Sequence, residues 1–237
     1  MSSSGQISSQ VSNNTEEDLF TLSTEEYLKD VLAMNYLTPL AGQYFPWSAY
    51  ALRPSGLVKI LNQILINGHL QIVECGGGVS TLYIARLFQR NGISGHLYCI
   101  EHSLDWLNFL VERLAQENLE SYVTLIYAPL KSCELSLENL DWYDTEKIRQ
   151  QLSASQKIDC LLVDGPPAYL PGMQFSRFPA FPFFQDQFNP NATIVLDDIN
   201  RSGEREILRR WQALLPISFY TSEGNVAIAN LNKNIQF

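Results

Sequence analysis

The feature that most restricts the fold is a repeated exchange of period along the chain. Short apolar runs that fit strands lie at Leu70–Cys75, His96–Glu101, Tyr122–Tyr127, Ile158–Val163 and Thr193–Leu196. Between them the apolar residues recur at helical spacing: Leu82, Ala85 and Phe88, then Leu104, Leu107, Val111 and Leu114. Ser103 fits the cap of the second of these helices, with Asp105 in its first turn. Further helices are expected near Tyr143–Leu152, around Phe181–Phe188, and over Ile207, Leu208, Trp211 and Leu215. Another precedes the first strand, on Leu57, Ile60, Leu61, Ile64 and Leu65. Such alternation predicts a doubly wound α/β fold, a parallel sheet with helices on both faces. Two final strands, near Ile217–Tyr220 and Asn225–Leu231, have no helix between them, so the last is expected to run antiparallel.

A chain of 237 residues is long enough for one substantial core. Residues 1–18 are rich in Ser, Asn and Gln and are expected to be a disordered tail, because they offer too little apolar surface to offset chain entropy. Residues 19–54 divide into a helix from Thr24 to Met34, capped by Ser23 or Thr24, and a proline- and aromatic-rich loop placed to cover a site. The remaining residues, 55–237, form the main domain. The net charge of −9, without a Lys/Arg cluster, argues against a nucleic-acid partner. No apolar run approaches the ~20 residues of a membrane span, and the N-terminus does not read as a secretory signal. The four cysteines show no Cys-x-x-Cys spacing and are expected to be reduced, which fits a cytoplasmic location.

The segment Val73-Glu74-Cys75-Gly76-Gly77-Gly78-Val79-Ser80-Thr81 lies where the first strand turns into its helix. Glycines there let backbone approach a ligand that a Cβ would repel. A dinucleotide loop wants a third glycine where Thr81 stands, and Glu74 is a poor neighbour for a pyrophosphate. A carboxylate at that depth can order the loop and reach the ammonium end of an amino-acid ligand. Glu101 ends the second strand, a usual place for an acid that accepts both hydroxyls of a ribose; a solvated strand-end acid is the alternative, and the glycine loop favours the ribose role.

With Val-Asp-Gly-Pro-Pro at 163–167 and Leu-Asp-Asp at 196–198, this order of motifs resembles the class I S-adenosylmethionine-dependent methyltransferases. It is especially similar to a subgroup of small bacterial-type ones, from about Pro46 onward. The resemblance implies a Rossmann-like, seven-stranded sheet ordered 3-2-1-4-5-7-6 with strand 7 antiparallel. It also implies S-adenosyl-L-methionine as cofactor, held by Glu74, Gly76 and Gly78 at the methionine end and by Glu101 at the ribose, with Gly77, Ser80, Thr81 and Asp164 also in the cofactor-binding set. His102 and the turn at Ala128 would flank the adenine.

Asp164 ends the fourth strand and Asp197 and Asp198 the fifth; neighbouring strands are about 4.8 Å apart, so three carboxylates are expected at one edge of the site. Metal-dependent catechol-type O-methyltransferases carry a similar set around Mg²⁺, with Asn where Asp198 stands here, so the resemblance makes Asp164, Asp197 and Asp198 candidate ligands for Mg²⁺. They also place a Lys base shortly after the fourth-strand Asp, where this chain has Gly165, Pro166 and Pro167. The alternative is that Asp164 holds the cofactor amine or a loop and Asp198 caps a turn before Ser202. Arg177 is a candidate to steer an anionic substrate, and Tyr44, Phe45, Trp47, Tyr169 and Phe175 are candidates to wall the acceptor pocket.

The function expected is methyl transfer to a small-molecule acceptor at oxygen, with Asp164 as the catalytic residue. A non-catalytic S-adenosylmethionine-binding regulatory or scaffold protein and an NAD-dependent oxidoreductase stay open at this stage. A nucleic-acid methyltransferase is disfavoured, because Asn189-Pro190-Asn191 lacks the aromatic that would stack a flipped base.

Overall fold

The computed structural model describes residues 22–232; the expected tail, residues 1–18, lies outside them. The first helix, α1 (Thr24–Leu37), begins with a reciprocal cap in which Ser23 Oγ accepts from the Glu26 N–H and the Glu26 carboxylate accepts from the Ser23 N–H. It continues one turn beyond the expected Met34 and packs on α2 (Pro54–Ile66), to which Asp30 ties it through Arg53 and Ser55.

The alternating elements follow as β1 (Gln71–Cys75), α3 (Val79–Arg90), β2 (His96–Glu101), α4 (Leu104–Gln116) and β3 (Val123–Tyr127). Ser103 caps α4 as expected, accepting from Trp106 N–H, with Asp105 in the first turn. Next come β4 (Leu130–Ser132), β5 (Asp141–Tyr143), α5 (Thr145–Gln151), β6 (Ile158–Val163), α6 (Ala180–Phe184), β7 (Phe188–Leu196), α7 (Ser202–Leu214), β8 (Tyr220–Thr221) and β9 (Ala227–Asn230).

The main sheet has the order β3-β2-β1-β6-β7-β9-β8. The β1–β2, β1–β6, β2–β3 and β6–β7 pairs are parallel, and β9 runs antiparallel to both neighbours. Leaving out the small β4–β5 hairpin, this is the expected 3-2-1-4-5-7-6. The hairpin was not anticipated: Leu130 pairs with Tyr143 and Ser132 with Asp141, which withdraws Tyr143 from the expected helix. Asp144 caps α5 instead, accepting from the Glu146 and Lys147 N–H groups.

Strand alternation divides the core. Ile72, Leu97, Cys160, Leu162 and Val195 face α2, α3 and α4, whereas Val73, Ile100, Leu161, Val163 and Ile194 face α5, α6 and α7. Each such buried aliphatic side chain contributes about 1.5–3 kcal/mol of transfer free energy, so both faces of the sheet are held from residues only one position apart. Cys75, Cys99 and Cys160 are buried free thiols and Cys133 is a half-buried one. Among the described residues, no helix is long and apolar enough to cross a membrane.

Candidate active site

Parallel strands bring the carboxyl ends of β1, β2, β6 and β7 to one edge of the sheet, and the turns that leave them enclose a cavity of about 140 Å³. Gly76, Gly77, Glu101, His102, Asp164, Gly165, Tyr169, Arg177 and Asp198 all line it. So do Tyr50, Tyr143 and Arg201, which sequence reasoning missed. A larger cavity of about 600 Å³ opens between α1 and α2, walled by residues such as Leu32, Tyr36 and Leu65. It carries no part of the glycine loop, and convergent polar groups rather than size mark a ligand site.

The loop is built on one close backbone approach, between Gly76 and the Asp164–Gly165 backbone. Gly76 has φ +89, and a Cβ there would meet Gly165 N at 2.9 Å and Gly165 Cα at 3.0 Å. Gly76 N–H donates to Ile100 O at 2.9 Å, and the N–H groups of Asp164 and Gly165 both donate to Cys75 O. The ends of β1, β2 and β6 are thereby laced together under the cavity floor. Gly77 donates to Glu101 Oε2 at 3.3 Å and accepts from Trp106 Nε1 at 2.7 Å. Gly78, in an extended conformation, has nothing within 4 Å of where a Cβ would project, so that side of the loop is open.

Glu74 does not reach the cavity. Its side chain points to the α3 face, is fully buried, and accepts from Thr81 Oγ1 at 2.5 Å; Thr81 Oγ1 in turn accepts from Gly78 N–H. Glu74 and Thr81 thus order the glycine loop from beneath, and Glu74 is not among the groups that line the cavity. Burial pushes the Glu74 carboxyl up to about 7, against the pull of hydrogen bonds from Ser80, Thr81 and Cys99. Ser80 is buried with it. Ala128 is likewise away from the cavity, fully buried, its N–H bound to Glu101 O.

Glu101 sits at the rim as expected. Oε1 accepts from Ser103 N–H at 2.6 Å, and each oxygen keeps a lone pair for a further donor. His102 Nδ1 lies 2.9 Å from Glu101 Oε1 but outside hydrogen-bonding alignment. Of the aromatic candidates, only Tyr169 faces the cavity, stacked against Tyr50 with ring centroids 5.1 Å apart. Trp47 packs on Tyr83 and Phe45 on Trp106 and Phe109, where they cover the α3–α4 side of the core. Phe175 lies under the Arg210 guanidinium, and Tyr44 is exposed.

The three carboxylates meet as the strand order demands: one oxygen each of Asp164, Asp197 and Asp198 fall within 4.8 Å of one another. A guanidinium sits among them. Arg177 Nη1 is 2.9 Å from Asp198 Oδ2, and Nη2 is 3.4 Å from Asp164 Oδ1. Arg201 Nη1 reaches the same Asp198 oxygen at 2.8 Å. Asp198, at φ 62, does not cap α7; its carboxylate is committed to the two arginines. These donors do not fit a bound Mg²⁺, because the ion would have to displace guanidinium groups already paired with two of its three ligands.

Burial raises the Asp164 carboxyl to about 7; Arg177 opposes the rise and Asp198 adds to it. Asp197, deeper still, is held well above the ordinary carboxylate range by burial and by its two acidic neighbours. Tyr143, fully buried with its hydroxyl unpaired, is also pushed up by burial. The arrangement therefore offers an acid–base group near neutral pH beside a backbone cradle and a rim carboxylate.

Comparison with known proteins agrees with this geometry. Residues 73–199, from β1 to just past β7 and over half of the chain, match a family model described as a methyltransferase domain. The structure resembles an S-adenosylhomocysteine-bound methyltransferase from Podospora anserina (TM-score 0.54, 11% identity, covering 90% of this chain and 89% of that one). It also resembles an O-methyltransferase from Bacillus cereus in complex with S-adenosylhomocysteine (0.53, 17%, 90% and 94%). A third is an S-adenosylmethionine-dependent O-methyltransferase from Thermotoga maritima (0.52, 12%, 87% and 73%). At these identities the likeness is one of fold. No curated protein matches the sequence. With the matched segment spanning the glycine loop, Glu101, Asp164 and the Asp197–Asp198 pair, the chain belongs to the methyltransferase-domain family.

Proposed function

We propose that this protein transfers a methyl group from S-adenosyl-L-methionine to an oxygen of a small-molecule acceptor, with Asp164 as the proton acceptor. The observation that carries the reading is that one cavity joins the Gly76–Gly77 backbone, the Glu101 carboxylate and Asp164.

The residues present fit the cofactor. Glu101 keeps free lone pairs on both oxygens for a ribose diol, and Gly78 leaves open space where any side chain would project. Gly76, Gly77 and Gly78 would hold the methionine end through backbone, with His102 beside the adenosine. Glu74, Ser80 and Thr81 support the loop rather than touch the ligand. The cavity is smaller than the ~300 Å³ at which ligand sites begin; Tyr50 and Tyr169 stack along its wall, and in this reading the loop bearing Tyr50 is a lid that opens for entry.

When bound, the cofactor supplies an electrophilic methyl on a sulfonium. The chain's own part is alignment, exclusion of water and management of one proton. Asp164, held near neutrality by burial, takes the acceptor's hydroxyl proton as the new carbon–oxygen bond forms. Arg177 fixes the direction of that carboxylate through its 3.4 Å contact. Tyr169 and Tyr50 wall the acceptor side.

The test is titration calorimetry of the whole chain with S-adenosylhomocysteine, followed by turnover against phenols, sugars and hydroxy acids. Micromolar binding is expected, and Asp164→Asn should keep it while losing about 10²–10⁴ in kcat. Loss of cofactor binding in that variant would instead make Asp164 the anchor of the methionine amine. An absence of binding by the unmodified chain would remove the proposal.

A further inference from the structure

Arg177 is the least exposed cation of the site, its side chain only 4% accessible although it emerges from the long turn between β6 and α6. Its guanidinium is fully used. Besides Asp164 and Asp198 it approaches Glu204 Oε1 at 3.8 Å and donates to the carbonyls of Asp197 at 3.4 Å and Pro166 at 3.3 Å. Arg201, at the start of α7, repeats two of these contacts from the rim, reaching Asp198 and, at 3.5 Å, Glu204. Four carboxyl groups, those of Asp164, Asp197, Asp198 and Glu204, thus surround two guanidiniums.

Two guanidiniums bring the same formal charge as one divalent cation. They deliver it in a different geometry: a planar fork of N–H donors that pairs with carboxylates at hydrogen-bond distance, whereas Mg²⁺ demands oxygens at about 2.0–2.1 Å in an octahedron. Asp198 Oδ2 cannot serve both arrangements, since each arginine already lies within 3 Å of it. The fork also cannot lose a proton or open a coordination position.

We infer that Arg177, backed by Arg201, takes in this chain the place of the divalent cation used by catechol-type O-methyltransferases, so that methyl transfer here needs no metal. Arg177 is a positioning residue: it sets the orientation of Asp164 and balances the charge of Asp198 and Glu204. An acceptor class follows. Without an ion to chelate two adjacent oxygens, the site has no requirement for a vicinal diol and suits a single hydroxyl hydrogen-bonded to Asp164. This consequence rests on the methyl-transfer reading; the replacement of the cation does not.

The experiment is calorimetric titration of the whole chain with MgCl₂ and, separately, MnCl₂, with thermal melting under the same conditions. The unmodified protein should show no saturable metal binding and an unmoved Tm. Its turnover should change by less than about twofold between chelator and added Mg²⁺. Arg177→Met empties the centre of the carboxylate cluster and should acquire divalent-cation binding, with a Tm that rises on adding metal. Arg177→Gln, which also removes the charge and the fork, provides the same readout should the first variant fail to fold. Saturable Mg²⁺ or Mn²⁺ binding by the unmodified protein overturns the proposal, as does failure of both arginine variants to gain it. A chain that binds no S-adenosylhomocysteine would defeat the methyl-transfer reading alone, because the metal titrations decide the role of Arg177 independently.

Discussion

Gly76 and Gly78 stand two residues apart in one loop, yet the structure gives them separable duties. At Gly76 the backbone has φ +89, and an added Cβ would press on the Gly165 backbone at 2.9 and 3.0 Å and on Asp164 C at 3.2 Å. A non-glycine residue in that region costs about 1–3 kcal/mol, and a backbone clash that no side-chain rotation relieves adds a further ~1 kcal/mol or more. Gly76→Ala should therefore lose ~2–4 kcal/mol, a Tm drop of roughly 5–15 °C for a domain of this size. Gly78 has φ −176, which any residue adopts, and nothing within 4 Å of the Cβ position. Gly78→Arg should hold its Tm to within the equivalent of about 0.5 kcal/mol, because its N–H still donates to Thr81 Oγ1. The long side chain, however, projects over the proposed cofactor cradle, so S-adenosylhomocysteine affinity should fall at least about 100-fold, or ~2.7 kcal/mol. Scanning calorimetry and titration calorimetry on the two variants read both quantities. Equal Tm losses in the pair would refute the division of labour, and undiminished cofactor binding by a fully folded Gly78→Arg would place the cofactor elsewhere.

Glu74, fully buried with its carboxyl raised from 4.5 to about 7, gives a pH signature: stability is greatest below its unfolded pKa and falls by ~3 kcal/mol as pH rises from about 4.5 to 7. Glu74→Gln should flatten that decline in denaturant melts at pH 5 and pH 8, and an unchanged slope would count against the burial of a charge there. Arg177→Met strips the counter-charge from Asp164, Asp198 and Glu204, and should cost ~3–5 kcal/mol at pH 8. The loss should shrink at pH 5, since burial raises the Asp164 carboxyl to about 7, leaving there a neutral acid that needs no partner. A loss that is the same at both pH values would mean that packing, not charge, is what Arg177 contributes.

Much of this site could be read from the sequence because parallel sheets convert chain order into spatial order. Once Asp164, Asp197 and Asp198 are assigned to the ends of neighbouring strands, their meeting follows from strand spacing alone. The glycine loop and Glu101 were legible for the same reason, as strand-end residues at the switch from strand to helix. The orientation of Glu74 was not legible because depth along a strand does not tell which face a side chain takes. Val73 and Cys75 face α5–α7 and Glu74 the opposite side, where it meets Thr81 beneath the loop. Tyr143 was hidden by a three-residue strand, too short to have a period, and Trp47 and Phe45 by the lack of any rule that tells a covering aromatic from a lining one.

The charges were the least legible part, and they matter most to the chemistry. In the sequence Arg201 and Glu204 look like an ordinary solvated pair at the start of a helix, three residues apart and of opposite sign. Only the turn between β6 and α6, which carries Arg177 across to them, converts Glu204 into a buried acid, 1% exposed, and Asp198 into the shared partner of two guanidiniums. Three carboxylates viewed without their arginines suggest a cation site, since like charges must be relieved somehow. With the arginines included, the relief is already present and fixed in direction. What the cluster then presents to the cavity is one acid near neutrality, Asp164, held by Arg177 rather than by an ion. In the proposed reaction a base so placed answers the absence of a lysine after the fourth strand: Gly165, Pro166 and Pro167 begin the turn that returns Arg177 to the site, and Asp164 would take the proton.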